Sequence, residues 1–188
     1  MTAFVHDNSF DAGHNYIAGA TVQTVCAGEP LTFYEGYDAP AWTATTAKVL
    51  GDAVRPVTRA GRTMEATAIS GAGQTGAIEP TWNLTVGATT VDGDITWTTR
   101  NSFAITENST LIGADFSNAN GDTSGRKLSI VQKPDANIHT DGTANHVTTI
   151  RVADRILTTR NIVTPQPLTA GGTVTVPAHD ITETTDAV

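Results

Sequence analysis

Carboxylates in the middle of the chain come closest to the residue pattern of an acid–base catalyst. Asp92 and Asp94 flank Gly93, while Glu65 and Glu79 lie in neighbouring segments that can face one another. A glycosidase needs two carboxylates about 5 to 10 Å apart across the sugar. However, acids around a glycine between two alternating runs are typical of a turn, and no pattern indicates that Glu65 or Glu79 is buried. We therefore expect these acids to shape turns rather than to catalyse a reaction.

Metal-binding and nucleophilic patterns are also weak. Cys26 is the single cysteine, and its apolar neighbours predict a small core residue rather than a nucleophile or a zinc ligand. The five histidines are scattered, without the spacing of a helical zinc motif: His6, His14, His139, His146 and His179. Calcium would need more oxygen ligands than two short runs supply, namely Asp92 with Asp94, and Asn118 with Asn120 and Asp122. The sequence thus predicts no catalytic residue, no metal site and no cofactor.

The tryptophans are the most informative side chains. Trp42, Trp82 and Trp97 all lie between residues 41 and 100, and each borders a Thr- and Val-rich run that alternates like a half-buried strand. In a unit this small, a tryptophan most often fills the core. If Trp82 and Trp97 were instead exposed together, they would form a platform for sugar rings or an apolar patch for a partner protein. The core role is the expectation, and the platform is the alternative.

The elements that hold these side chains are predicted to be strands. Residues 62–69 alternate as a strand, and residues 70–76 form a Gly-rich loop. Alternating runs flank Asp92-Gly93-Asp94, and an Asp-Gly pair in that position is a strong hairpin signal. A further turn is expected at Gly51 and Asp52. Residues 41–101 are therefore predicted to be a small all-β module.

The rest of the chain shows the same β character. Residues 102–188 hold short apolar or alternating runs with turn residues about every ten positions, which predicts a β-sandwich or a barrel-like domain. Residues 20–27 and 31–37 are β-like and can pair with these strands, which would make the module an insertion. One short helix is expected within residues 109–118. The fold class is all-β with little helix, divided into residues 1–40, 41–101 and 102–188.

The N-terminal segment is a candidate binding arm. Phe4, Phe10 and Tyr16 stand among Asp, Asn, His and Gly, which is poor material for a free-standing fold. Such a segment can become ordered against a partner, with the aromatic residues as anchors. A frayed terminus is the alternative interpretation.

Charge and composition limit the partners. The net charge of −8 argues against nucleic acid, because binding a phosphate backbone requires clustered Lys and Arg. The closest groups of arginines are spread among polar and acidic residues, and a solvated face or an acidic protein partner is expected for them: Arg55, Arg59 and Arg62, and Arg151, Arg155 and Arg160. We find no basic, apolar leader and no apolar run near about twenty residues, so neither secretion nor membrane contact is expected. Threonine supplies about one residue in five, well above average usage and suited to a pleated surface.

Residues 41–100 resemble a module that recurs in virion proteins of tailed bacteriophages. The resemblance rests on glycine, proline and tryptophan positions that match in order: Leu50-Gly51-Asp52, Val54-Arg55-Pro56, Glu65-Ala66-Thr67, Gly76 to Trp82, Val86 to Thr89, Asp92-Gly93 and Thr96-Trp97. An aromatic residue expected after the turn at Arg62-Thr63-Met64 is missing. Since sugar sites of such modules rely on exposed rings, this departure disfavours carbohydrate binding.

The C-terminal part is similar to a β-rich domain of small phage head or virion-surface proteins. The matching segments are Asp115-Phe116, Gly121-Asp122, Ser124 to Leu128, Gly142 to Val147 and Leu168 to Val176. The two resemblances imply a non-enzymatic structural protein of a tailed-phage virion, made in the host cytoplasm. The expected role is a decoration or cement protein on the outer capsid, with the major capsid protein and neighbouring copies of itself as partners. The alternative is a tail- or head-fibre module that binds a host-surface glycan; an envelope hydrolase has the least support.

Overall fold

The computed structural model describes residues 13–120 and 126–183. Strands make up 48% and helices 7%, so the all-β prediction is confirmed. Phe4 and Phe10 lie outside the described residues, as do His6 and Asp122. No helix in the described part of the chain is long and apolar enough to cross a membrane.

Residues 13–17 are helical, and thirteen named strands, one further short helix and one 3-10 turn follow them along the described chain. They are β1 (Val22–Cys26), α1 (Phe33–Gly36), β2 (Ala53–Val54), β3 (Arg62–Ile69), β4 (Thr89–Asp92), β5 (Ile95–Asn101), β6 (Ser109–Thr110), the 3-10 turn (Gly113–Asp115), β7 (Phe116–Asn120), β8 (Arg126–Ile130), β9 (Lys133–Asn137), β10 (Gly142–Arg151), β11 (Ile156–Leu168), β12 (Thr173–Val176) and β13 (His179–Glu183).

The main sheet has the strand order β11-β10-β1-β6, with every neighbouring pair antiparallel. It packs against the two-stranded β9–β12 sheet through one apolar core, which includes Val25, Ile138, Val147, Leu168 and Val176. A third sheet, in the order β13-β8-β7, closes over a smaller core. The described sheets remain separate antiparallel layers, without a closed barrel.

The module forms a fourth sheet in the order β2-β3-β5-β4. Its strand β3 has the bounds predicted from alternation, and β4 and β5 form the predicted hairpin around Gly93. The chain leaves the main sheet after β1 and returns to it at a bridge between Cys26 and Ala104. Helix α1 lies between the two sheets and contacts β3 and β5 on one side and β1, β10 and β11 on the other.

One local prediction was wrong, and a second is met only by a short 3-10 helix. Residues 31–37 do not form a strand, because the Glu35 carboxylate accepts hydrogen bonds from the amides of Leu31 and Thr32 and starts helix α1. The helix expected within residues 109–118 is only the 3-10 turn Gly113–Asp115, between the strands β6 and β7. The Asp115 carboxylate fixes this turn by accepting a 2.7 Å hydrogen bond from the Ile112 amide.

Candidate functional site

The centre of the module is a buried carboxylate that holds two indoles. One oxygen of Asp92 accepts hydrogen bonds from Nε1 of Trp42 at 2.7 Å and Nε1 of Trp97 at 3.2 Å. Its other oxygen accepts the Gly76 amide at 2.8 Å. Asp92 is 3% exposed, and the rings pack with Val54, Met64, Ala66 and Ile95. This arrangement fixes the two tryptophans as core, as predicted for them.

The other acids also serve structure. Asp94 organises the loop before the hairpin, because its carboxylate accepts the amides of Ala72 and Gln74. Glu65 forms a 2.6 Å ion pair with Arg100. Glu65 and Glu79 are therefore engaged with different partners and do not form a facing acid pair.

Trp82 lies at the edge of this core and reaches the surface. Its ring meets Trp97 edge to face, with centroids 6.2 Å apart and planes at 75°. Its Nε1 donates a 2.7 Å hydrogen bond to Glu79, whose same oxygen accepts the Val57 amide at 2.8 Å. These contacts hold the half-buried indole in one orientation, so it presents a fixed apolar edge.

A groove of about 330 Å³ runs beside Trp82. It is lined by Pro56, Thr58, Arg59, Ala60, Glu79, Pro80, Trp82 and Leu84. Leu84 in its wall is 43% exposed, and two chain neighbours of lining residues, Val57 and Ile78, are 53% and 83% exposed. We call Pro56, Val57, Ile78, Pro80, Trp82 and Leu84 the Trp82 face. It combines a rigid aromatic ring, two prolines and exposed aliphatic groups, which is the composition of a surface that binds apolar groups.

The alternative, an exposed platform of Trp82 and Trp97, does not form. Trp97 is 0% exposed, because β5 is a central strand and its indole points at the Asp92 carboxylate. Of the three tryptophans, Trp82 is the one whose side chain is not buried and can contact a ligand. The remaining residues of the Trp82 face were missed in the sequence, although the run Glu79-Pro80-Thr81-Trp82 indicated an extended segment before the ring.

Of the three N-terminal aromatic residues, the structure describes Tyr16. It is 45% exposed, and the Arg151 guanidinium lies 4.3 Å from its ring centroid. Arg151 also donates a 3.1 Å hydrogen bond to the Tyr16 carbonyl. His14, two residues earlier, is fully buried. The residues around Tyr16 are thus packed on the chain itself, and a partner would meet a ring already fixed on one face.

The arginines of the two predicted groups bind their own chain. Four of them pair with carboxylates, at distances from 2.6 to 3.2 Å: Arg59 with Asp38, Arg151 with Asp154, Arg155 with Asp52, and Arg160 with Glu29. Arg55 donates to the carbonyls of Pro56 and Val57, and Arg62 donates to Leu84. These side chains connect segments of the fold rather than forming one free basic patch.

Cys26 takes the predicted core position. It is 0% exposed, and burial raises the pKa of its thiol to about 12. Its Sγ lies 3.9 Å from the Gly36 carbonyl, on the side of the main sheet that faces α1. Within residues 13–120 and 126–183, no three His, Cys, Asp or Glu side chains come together as a group that could hold a metal ion.

Comparisons with protein-family models, with curated proteins and with solved structures give no match for this chain. The Trp82 face therefore stands on its own geometry as the candidate functional site.

Proposed function

We propose that this chain is a non-enzymatic structural protein of a tailed-phage virion that decorates the outer capsid surface and stabilises it. The observation that carries the proposal is the Trp82 face, an exposed apolar surface on a module whose core is fixed by Asp92. The resemblance of residues 41–101 to a tailed-phage virion module supplies the setting, and that of the C-terminal part favours the head.

The mechanism is adhesion. The major capsid protein is the proposed partner of the Trp82 face, with an apolar side chain filling the groove between Pro56, Pro80 and Leu84. A stable interface usually buries about 800 Å² per partner, so the Trp82 face is its centre rather than its whole extent. Copies bound side by side add avidity, because each local dissociation leaves the neighbouring contacts in place.

The exposed edges of the fold suit this role. Strand β11 is an edge of the main sheet and carries Pro165 and Pro167, which lack the amide needed to pair with a further strand. A protein displayed at high density on a particle must avoid sheet-to-sheet aggregation. Together with the net charge of −8, these prolines keep neighbouring copies from joining by strand addition.

Co-sedimentation with undecorated phage heads tests the proposal. The double variant Ile78→Ser with Leu84→Ser removes exposed apolar groups without touching the buried tryptophans, and we expect it to lower the bound fraction at least ten-fold. Val91→Ser is the matched control, because Val91 is 71% exposed on β4 and lies outside the Trp82 face. Equal binding of both variants and the unmodified protein would exclude the Trp82 face as the capsid contact.

The N-terminal arm needs a separate variant. Removing residues 1–16 would take away the buried His14 and the Tyr16 carbonyl that Arg151 binds, so lost binding could follow from damage to the fold. Removing residues 1–12 instead keeps every residue whose contacts are described, including His14 and Tyr16. Head binding by this shorter variant would show that Phe4 and Phe10 are not required anchors.

Binding of a host-surface glycan is the second candidate, and Trp82 favours it. A half-exposed indole beside the charged groups of Glu79 and Arg59 offers a sugar both an apolar surface and hydrogen-bonding groups. Host cells in the same co-sedimentation assay, together with tryptophan fluorescence during titration with polysaccharide, separate the two functions. Binding to cells but not to heads, with saturable quenching, would replace the decoration role by receptor recognition.

A further inference from the structure

A small cavity lies where the module meets the main sheet. Its volume is about 60 Å³, which is room for about four to six water-sized groups. One segment of the module supplies Arg55, Arg59 and Arg62 to its wall, and His139 comes from the chain that follows β9. The cavity thus gathers four basic side chains in a protein whose net charge is −8.

The negative charge at the cavity does not balance these groups. Asp38 is the one carboxylate among the residues that line it. It binds Arg59 through two hydrogen bonds of 2.6 and 3.2 Å and contacts Nε2 of His139 at 3.4 Å. Asp38 therefore pairs with one guanidinium. Arg55 and Arg62 each donate to backbone carbonyls, so their charges have no carboxylate partner in the cavity wall.

Three polar side-chain atoms of the residues that line the cavity are buried without a hydrogen-bond partner: the Thr63 hydroxyl, Nε of Arg55 and Nε2 of His139. Thr63 is 1% exposed, so its hydroxyl is shielded from bulk water. Buried polar groups are almost always satisfied, and unsatisfied ones that line the same cavity indicate a bound water or ion.

We propose that this cavity binds a small tetrahedral oxyanion of the phosphate or sulfate class. Guanidinium groups match such an ion in charge and in geometry, since each can donate two parallel hydrogen bonds to its oxygens. The Thr63 hydroxyl adds a neutral donor. The cavity is several times smaller than the sites that hold drug-sized ligands, so the ion binds free rather than as part of a nucleotide or a sugar. This site is independent of the proposed capsid role.

The bound ion joins the module to the main sheet. Arg55 and Thr63 belong to the module, whereas His139 follows Ile138, which bridges to Thr106 and packs in the main core. An anion held between them adds to the links that the two parts already share, such as the ion pairs of Asp38 with Arg59 and Asp52 with Arg155. We therefore expect phosphate to raise the melting temperature of the whole protein.

Calorimetric titration of the purified protein with sodium phosphate, at constant ionic strength maintained with sodium chloride, tests the site. We expect saturable binding of one ion per chain. Arg55→Met and the near-isosteric Thr63→Val should each weaken binding about ten-fold, the usual effect of losing a charge-assisted or buried hydrogen bond. Arg160→Met is the control, because Arg160 pairs with Glu29 away from the cavity.

Asp38→Asn provides a test with the opposite sign. It removes the carboxylate that repels an anion, so phosphate should bind more tightly, whereas damage to the cavity would weaken binding. Circular dichroism establishes that each variant is folded. If Arg55→Met unfolds, the phosphate affinity of Thr63→Val alone tests whether the cavity binds the ion. No saturable binding beyond that of chloride, or equal affinity in Thr63→Val and the unmodified protein, would show that the cavity holds only water.

Discussion

The indole of Trp42 and the carboxylate of Asp92 are joined by a 2.7 Å hydrogen bond in the interior of the module. Trp42 precedes the first strand of the module, and Asp92 ends β4. The bond therefore closes the module between its beginning and its last hairpin. Because Asp92 also binds Trp97 and the Gly76 amide, one side chain connects four separate segments.

Asp92→Asn should destabilise the protein by about 2 to 4 kcal/mol. The amide preserves the shape but turns one acceptor into a donor, which then faces an indole or amide N–H and leaves buried groups unpaired. Urea unfolding followed by tryptophan fluorescence measures the loss. Asp94→Asn is the control, since Asp94 accepts its amide bonds in a more exposed loop, and about 1 kcal/mol is expected there. Equal losses would contradict the role of Asp92.

Gly93→Ala should be more damaging than Gly87→Ala. Both glycines have positive φ, 60° and 84°, so both substitutions carry the left-handed penalty of about 1 to 2 kcal/mol. A Cβ on Gly93 would also lie 2.5 Å from the Gln74 carbonyl oxygen, whereas one on Gly87 meets nothing within 4 Å. The difference between the two melting temperatures measures this contact. A Gly93→Ala variant as stable as Gly87→Ala would mean that the loop around Gln74 moves away from the added Cβ at little energetic cost.

Acidification should release the ion pair between Asp38 and Arg59. Burial alone would raise the pKa of Asp38, but the contact with His139 and the hydrogen bonds from Arg59 outweigh it and hold the pKa below the ordinary 3.8. A lowered pKa stabilises the fold above pH 3.8, and this stabilisation is lost as pH falls through the folded-state value. Asp38→Asn should therefore be less stable than the unmodified protein at neutral pH, and the gap should close on acidification.

Unfolding curves across this pH range check the prediction. Asp154→Asn serves as the comparison, because Asp154 pairs with Arg151 at a side-chain exposure of 42%, and surface pairs contribute little. A stability gap for Asp38→Asn that stays constant with pH would assign its cost to packing instead.

The Cys26 thiol should resist alkylation in the folded protein. Its pKa of about 12 leaves almost no thiolate at pH 8, and its side chain is fully buried. Labelling with iodoacetamide should therefore be slow in buffer and rapid in urea, as followed by mass spectrometry. Rapid labelling without denaturant would reveal local opening between the main sheet and α1.

Local signals in the sequence predicted much of the module but not its neighbours. The strand β3 and the hairpin at Gly93 follow from alternation and from an Asp-Gly turn, both set by adjacent residues. Helix α1 was missed because its start depends on one capping side chain, Glu35, in a segment that otherwise alternates like a strand. Side-chain capping of this kind outweighs a weak β pattern.

The candidate sites lay beyond sequence reasoning for a different reason. Trp82 was recognised in the sequence. That Trp97 is buried while Trp82 reaches the surface depends on which strand is central in the sheet. The cavity depends on His139 meeting Arg55 and Thr63, which are far away in the chain. Such meetings follow from how the sheets pack, and periodicity carries no information about them.

The insertion of the module between β1 and its partners also sets an order of events as the chain leaves the ribosome. Strand β1 pairs with β6 at two residues but with β10 along its whole length, so most of its pairing must wait until β10 has been synthesised. The module needs only its own residues for its sheet and for the bonds of Asp92. It can complete its hydrogen bonding first and hold α1 in place while β1 still lacks β10, which shortens the loop that the late-arriving strand must close.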